Sequence, residues 1–433
     1  MMDQAILTEI GWTLGKIGFM LAVILGILPA MIWAERKGAA YMQDRIGPNR
    51  ASIGGVFRLA GLVHPIADVL KLVFKADVIP AGVNRFFYHL APFLVMVVAL
   101  TTFAVIPFGD HLYLGDQAIR LQVADLNVGI LYILAMTSLS VYGIVLAGWS
   151  SNNKYSFLGG IRSTSQMISY EINLGLAVLS LILAMGTVRL NEMVMQQGEL
   201  LWGFLPMWGV VLQPVGFIIF LVSLFAETNR NPFDLPEGES ELVSGYHTEY
   251  SSLKFALFFM AEYANMIVGA AIVATLFFGG WQVPWLDTEA LRANAGPLLT
   301  GSVAVGALLG FLFSAAAWRH FERFRGRLGD RRELEPAILS VIFGLSGVAA
   351  LLFLVFGRPW AIEGPAVAHF ATVTQIGMFI LKTLFFAWLF IWVRWTLPRF
   401  RYDQLMRLGW NFMLPLALLN FFVTAAVVLF VES

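Results

Sequence analysis

Runs of about 20 apolar residues recur along the chain, at roughly 11–33, 87–107, 128–148, 164–188, 207–227, 254–278, 299–318, 337–357, 368–393 and 409–430. A helix needs about 20 residues to cross the hydrocarbon core of a bilayer, so each run can span. Tryptophans mark their ends, among them Trp12, Trp33, Trp149, Trp281, Trp360 and Trp410, as an interfacial belt requires. The pattern predicts an all-α, polytopic integral membrane protein of about ten transmembrane helices, forming a single membrane domain over residues 1–433.

Between Ser52 and Asp77 the pattern changes. Ile53, Val56, Phe57, Leu62, Val63, Ile66, Val69, Leu70 and Val73 recur at helical spacing, and His64, Asp68, Lys71 and Lys75 form a polar stripe. Pro65 either breaks this segment or opens its second half. The segment is expected to be an amphipathic helix lying in the interface; a sharper alternative is that it walls a cavity opening from the lipid.

Composition supports lipid as the solvent. The chain is 58% hydrophobic and 13% charged, with a mean hydropathy of +0.75, against about 25% charged for soluble domains. Arg120, Arg189, Arg292 and Arg358 fall in the loops of one face, and Lys16 and Lys382 fall inside runs. All the others of the 28 Lys and Arg fall on the opposite face. The positive-inside rule makes that rich face cytoplasmic and puts both termini outside, in the periplasm of a bacterial inner membrane. The first run follows Asp3 and Glu9 and precedes no small-residue cleavage site, so it reads as a retained span. Zero net charge gives no field that would favour nucleic acid. The absence of cysteine excludes disulfides, Cys-ligated zinc and Cys-held iron–sulfur clusters in this chain. His89 and His369 lie a membrane apart and the remaining histidines lie in loops, which disfavours a bis-His haem between spans.

Ionisable residues inside spans are costly and each needs a reason. Glu171 in the fourth run, Glu262 in the sixth and Glu227 at the end of the fifth all fall in the cytoplasmic half of their runs. They suggest a polar cavity open to that side; the plainer alternative is three interior carboxylates satisfied by Lys, Arg or backbone donors. Lys382 is a candidate partner for one of them, and Lys16 is close enough to the outer end to snorkel. After Glu227 comes a loop carrying Asp234, Glu237, Glu239, Glu241 and Glu249 against Arg230 and His247. Pro232, Pro236, Gly238 and Gly245 preclude one regular helix there. Crowded carboxylates raise one another's pKa, so some can hold protons near neutrality; a merely solvated acidic loop is the alternative.

Two segments closely resemble the H subunit of bacterial NADH:quinone oxidoreductase (respiratory complex I), called subunit 1 in mitochondria. They are AERKGAAYMQDRIGPNR over residues 34–50 and NRNPFDLPEGESELVSG over residues 229–245. Shorter stretches are also similar: QMISYE at 166–171, FFMAE at 258–262 and WTLPRFRYDQLM at 395–406. The resemblance runs from the first span to the last, except for about 290–367. It implies a membrane subunit that forms the lipid-facing entrance and much of the chamber for quinone, the substrate. The iron–sulfur cluster that reduces the quinone would sit in a neighbouring peripheral-arm subunit, and this chain would hold no redox centre. Other partners implied are the membrane-arm subunits and membrane lipids. The resemblance carries Glu35, Arg36, Arg45, Asp68 and Lys71 to the entrance and chamber. It carries Glu171, Glu227, Arg230, Asp234, Glu237, Glu239, Glu241 and Glu262 to an acidic path leading into the membrane arm, Arg230 being also a candidate for contact with quinone. Two other readings are a membrane anchor subunit of a related hydrogenase and a secondary ion transporter; the full EGESELVSGY loop and the absence of paired broken helices weigh against them. Residues 290–367 depart from the family and are expected to form an inserted transmembrane hairpin. Its tip, with Arg319, Arg323, Arg325, Arg327, Arg331 and Arg332, would face the cytoplasm.

Overall fold

The computed structural model describes residues 2–114, 117–326 and 334–432. Among these, helices dominate: α1 Met2–Met42, α2 Val63–Phe74, α3 Arg85–Thr102, α4 Gly129–Ser150, α5 Lys154–Met185, α6 Pro214–Glu227, α7 Ser252–Phe277, α8 Ala295–Phe324, α9 Leu334–Phe356 and α10 Pro365–Thr396. The last, α11, runs over Tyr402–Val431 and contains a π-helical stretch at Leu408–Met413. Among the described residues, strand is confined to two short hairpins, His111–Leu114 with Gln117–Arg120 and Leu200–Leu201 with Leu205–Pro206.

Nine of the described helices are long and apolar enough to cross a membrane, and the protein is a membrane-embedded helical bundle. The expected tenth span is shorter than its apolar run. Pro214, with no N–H to donate, opens α6 after a break at Gln213, and only a single turn, Gly209–Leu212, precedes it. At 1.5 Å per residue the 14 residues of α6 reach about 21 Å. Elsewhere the helices outrun the hydrophobic pattern. α1 continues to Met42, so Glu35, Arg36 and Lys37 are helical rather than in a loop. α5 begins ten residues before its apolar run, where the Asn153 side chain caps it by accepting from the Tyr155 N–H at 2.9 Å.

The most buried span is α7, which packs on α1, α2, α3 and α10. α3, α4 and α5 pack in sequence, and α6 and α11 lie on α5. Small residues set these approaches. A Cβ on Gly148 of α4 would stand 2.6 Å from the Ser156 carbonyl of α5, and one on Gly143 would strike Val95 of α3. The π-helical stretch of α11 is held from α5: Tyr170 donates to the Leu405 carbonyl at 2.9 Å, Asn173 to the Gly409 carbonyl at 3.2 Å, and Trp410 returns a bond to Ser169 at 3.1 Å.

Residues 290–367 do contain a pair of long apolar helices, α8 and α9. They are antiparallel, with Gly310 against Gly347 and Ser314 and Ser340 exchanging hydrogen bonds of 2.8–2.9 Å through their hydroxyls and carbonyls. Arg327, Arg331 and Arg332 lie outside the described residues.

Candidate functional site

After a distorted 3-10 turn at Leu59–Gly61, the amphipathic segment is an α-helix only from Val63 onward. Pro65 occupies its first turn, where a missing N–H costs nothing. α2 lies across α1 and α7, and the three enclose a cavity of about 300 Å3. Its polar wall is Arg36, Asp68, Lys71 and Lys75; its apolar wall includes Leu28, Ile32, Phe255, Phe259 and Met260. Arg36 and Asp68 form an ion pair across the mouth, both roughly half-exposed. Arg45 stands apart: it is exposed, donates to the Gln43 side chain at 2.7 Å, and does not line the cavity.

Glu35 neighbours Arg36 in sequence but faces elsewhere, because successive residues on a helix point about 100° apart. Its carboxylate is buried and accepts from Tyr263 at 2.6 Å, from Arg230 at 3.3 Å and from Arg394. Arg230 also pairs with Glu262 at 2.9 Å, and its guanidinium lies over the Tyr263 ring, 4.4 Å from the centroid. Two carboxylates and two guanidinium groups thus close a charge-balanced cluster between α1, the acidic loop, α7 and α10. Buried charges persist when paired in this way. Tyr263 and Arg394 were not among the sequence candidates; the basic end of α10 read only as an orientation signal.

The loop after α6 is anchored from several helices. Gln166 of α5 donates to the Ala226 and Phe233 carbonyls at 2.8 and 2.9 Å, and Asn231 donates to the Arg394 and Leu397 carbonyls at 2.8 and 2.9 Å. Only one α-turn, Glu239–Leu242, and a 3-10 turn, Gly245–His247, interrupt its irregular course. Asp234 pairs with Arg399 at 2.7 Å, and Glu241 with Arg162 at 2.7 Å at a more exposed edge. Glu237 accepts from the Tyr246 hydroxyl at 3.4 Å and lies 3.9 Å from His247. Burial, then the charges of Glu262 and Asp234, hold the Glu237 carboxyl well above the usual carboxylate range against the pull of Arg230 and Arg394. Burial also raises Asp234, opposed chiefly by Arg399, and pushes His247 down to about 4. Among the loop's described carboxylates, Glu237 is the one raised both by burial and by the charge of its acidic neighbours. The side chain of Glu239 lies outside the described residues.

Glu227 is built differently. It is buried at the end of α6, and neither carboxylate oxygen has a hydrogen-bond partner among the described residues. It lines two small cavities of about 30 Å3 each: one walled almost wholly by apolar side chains, the other by Thr102, Thr137, Ser140, Thr228 and Asn265 among others. A volume of that size accommodates a water molecule. Beyond the same turn of α4, Glu171 accepts from Ser138 and faces an open groove walled by Leu134, Ile168, Ile172 and Gly175.

Neither span lysine pairs with these carboxylates, contrary to the expectation for Lys382. Its ammonium donates to the carbonyls of Phe278, Gly280 and Gln282 at 2.6–3.1 Å, satisfying carbonyls just beyond the end of α7. The ammonium of Lys16 donates to the Gln122 carbonyl at 2.8 Å.

A family model described as NADH dehydrogenase matches residues 15–329 and 337–425. An H subunit of NADH-quinone oxidoreductase from Solibacter usitatus is 43% identical over 413 residues, covering 94% of this chain and 95% of that protein. The chain belongs to the H-subunit family of NADH-quinone oxidoreductase. Subunit 8 of the Rhodothermus marinus enzyme is likewise 43% identical, over 96% of both chains, and the H subunit from Salinibacter ruber 41%, over 97% of both. The family match includes α8 and most of α9, wider than the motifs that carried the resemblance. Membership favours the oxidoreductase reading over a hydrogenase anchor or an ion transporter.

Proposed function

We propose that this chain is the quinone-site membrane subunit of a proton-pumping NADH:quinone oxidoreductase in a bacterial inner membrane. The observation that carries this reading is the cavity between α1, α2 and α7, which has an apolar wall for an isoprenoid tail and a charged wall for a headgroup. Quinone enters there, and the iron–sulfur centre that reduces it belongs to a peripheral-arm partner. Reduction to quinol takes up two protons and shifts local charge. The Glu35–Arg230–Glu262–Arg394 cluster adjoins the cavity through α7, where the rings of Phe259 and Tyr263 are 4.9 Å apart. A charge change at the headgroup perturbs that cluster, and the acidic loop relays it through Glu237 and Asp234 toward Glu227 and Glu171. Glu171, facing an open groove, hands on to a membrane-arm subunit. The basic loops, the acidic loop included, face the cytoplasm and both termini face the periplasm.

Met260→Trp, which fills the apolar wall, tests the entrance in the assembled complex. The apparent KM for a long-tailed quinone should rise roughly tenfold, with NADH oxidation by a hydrophilic acceptor unchanged. An unaltered KM would sink the entrance reading.

A further inference from the structure

The chain entering α2 turns in an unusual way. Leu59 and Ala60 both have positive φ, at 47° and 54°, a region L-residues occupy only where their surroundings hold them. Arg58, just before them, is right-handed at φ −105°. A right-handed residue followed by a left-handed one aims successive N–H groups into one concavity, a backbone nest suited to an anion. The anion is present, and it comes from the other end of the chain. Glu335, in the first turn of α9, accepts from the N–H groups of Arg58 at 3.1 Å and of Leu59, and its second oxygen accepts from Arg58 Nε at 3.1 Å. Glu335 is 4% exposed and Arg58 8%. The turn is fixed from its other side as well: Trp33 of α1 donates to the Ala60 carbonyl at 3.0 Å, and Gly61 is pressed so close to the Pro48 carbonyl that a Cβ would stand 2.2 Å from it.

Two residues beyond this turn α2 begins, and α2 supplies Pro65, Asp68 and Lys71, with Lys75 just past its end, to the cavity. Its far end is tied to the start of α7, where Ser252 donates to the carbonyls of Leu72 and Lys75 at 3.0 and 2.8 Å. Its near end rests on the nest. The register of the α8–α9 pair, locked by Ser314 and Ser340, sets the height at which Glu335 meets it.

We propose that Glu335 is a positioning residue: through it the α8–α9 hairpin clamps the entry of α2 and so sets the mouth of the cavity. The hairpin is then part of the substrate entrance, although neither of its helices lines it. The control of substrate access rests on reading that cavity as the quinone entrance; the clamp itself does not.

The test uses the whole complex in its membrane, with Glu335→Ala, Glu335→Gln in case the alanine variant fails to assemble, and Leu345→Ala on the exposed side of the hairpin as control. Hydrogen exchange over residues 56–66 and quinone kinetics are read together. In Glu335→Ala the Arg58 and Leu59 amides should exchange at least roughly tenfold faster, and quinone KM should rise roughly threefold to tenfold with kcat within about twofold. Glu335→Gln, which keeps an acceptor for the amides but loses the charge on Arg58, should lie between; the control should match wild type. NADH oxidation by a hydrophilic acceptor should not change. Unchanged exchange in both Glu335 variants would overturn the clamp. Faster exchange with unchanged KM would overturn its control of the mouth. Failure of the entrance reading shows separately, as an unaltered KM in Met260→Trp while Glu335→Ala still exchanges faster.

Discussion

Glu35 and Glu262 differ from Glu227 and Glu171 in everything but chemistry. The first pair is locked against Arg230 and Arg394, every charge answered by an opposite one. The second pair has no cation within salt-bridge distance among the described residues: Glu227 has no hydrogen-bond partner and Glu171 has one serine. A carboxylate paired with a buried guanidinium fixes geometry, and removing it strands a cation. A carboxylate without a countercharge strands no ionic partner when its own charge is removed. Removal should therefore hurt different things: the fold in the first case, coupling in the second.

The largest effect is expected at Arg230. Replacing it with Met leaves Glu35 and Glu262 short of a countercharge in the interior, and breaking a buried pair costs about 3–5 kcal/mol, a large share of the 5–15 kcal/mol that holds a typical domain. Assembled complex on a native gel should be lost or its Tm clearly lowered. Arg230→Lys should fail nearly as badly, since one ammonium cannot fork between two carboxylates. Normal assembly of Arg230→Met would break the distinction between the two pairs.

Glu227→Gln should do the reverse. Stability should stay within about 1 kcal/mol of wild type, since no buried partner is orphaned. Quinone-linked NADH oxidation should fall at least roughly tenfold, with NADH oxidation by a hydrophilic acceptor intact. Glu171→Gln should behave alike. Glu262→Gln should also lose assembly, because it unbalances the arginines. Wild-type quinone activity in an assembled Glu171/Glu227 double Gln variant would sink the coupling role.

That contrast was only half legible in the sequence. Periodicity and basic-loop asymmetry located the spans because lipid imposes length and polarity on every one of them. Glu171, Glu227 and Glu262 stood out because each breaks an apolar run. What the runs could not reveal was pairing. Arg394 and Glu35 are 359 positions apart, and nothing local distinguishes an arginine that folds back onto a buried glutamate from one that marks the cytoplasmic face. Lys382 misled for the same reason, since backbone carbonyls leave no signature in sequence. Glu335 was hidden more deeply still: it precedes an apolar run as a helix-opening acid does, and its partners, two main-chain amides and the Arg58 side chain, lie 276–277 positions away.

The acidic loop offers a third, smaller effect, read as pH dependence. Glu237 has a raised folded-state pKa, so its contribution is lost as pH rises from the unfolded carboxylate value through the folded one. His247 is depressed to about 4, so its contribution is lost as pH falls from about 6.5 toward that value. Above pH ~6.5 the change comes from the two raised carboxyls, Glu237 well above the usual range and Asp234 above its own. Protection of residues 228–252 against hydrogen exchange, corrected for intrinsic rates, should decline with pH by at most about 1.4 kcal/mol per pH unit for each of these carboxyls. Glu237→Gln should flatten that decline. Below pH ~6.5 His247→Gln should remove the acid-side loss. A decline unchanged in Glu237→Gln would mean that the carboxyl is already ionised at neutrality.

The smallest expected effect separates two arginines that the sequence treats alike. Arg36 closes the cavity mouth against Asp68, whereas Arg45 is exposed and donates to the nearby Gln43 side chain. Arg36→Lys keeps the charge but loses the planar fork. Because the pair is half-exposed it contributes no more than about 1 kcal/mol, which corresponds to a rise in quinone KM of roughly fivefold at most. Arg45→Lys should leave that KM within about twofold. The measurement is the KM ratio of the two variants in the same membranes, with NADH oxidation by a hydrophilic acceptor as the control for assembly. If Arg45→Lys raised KM as much as Arg36→Lys, the mouth would extend beyond the cavity between α1, α2 and α7. The loop from Gln43 to Arg50 would then belong to the substrate path as well.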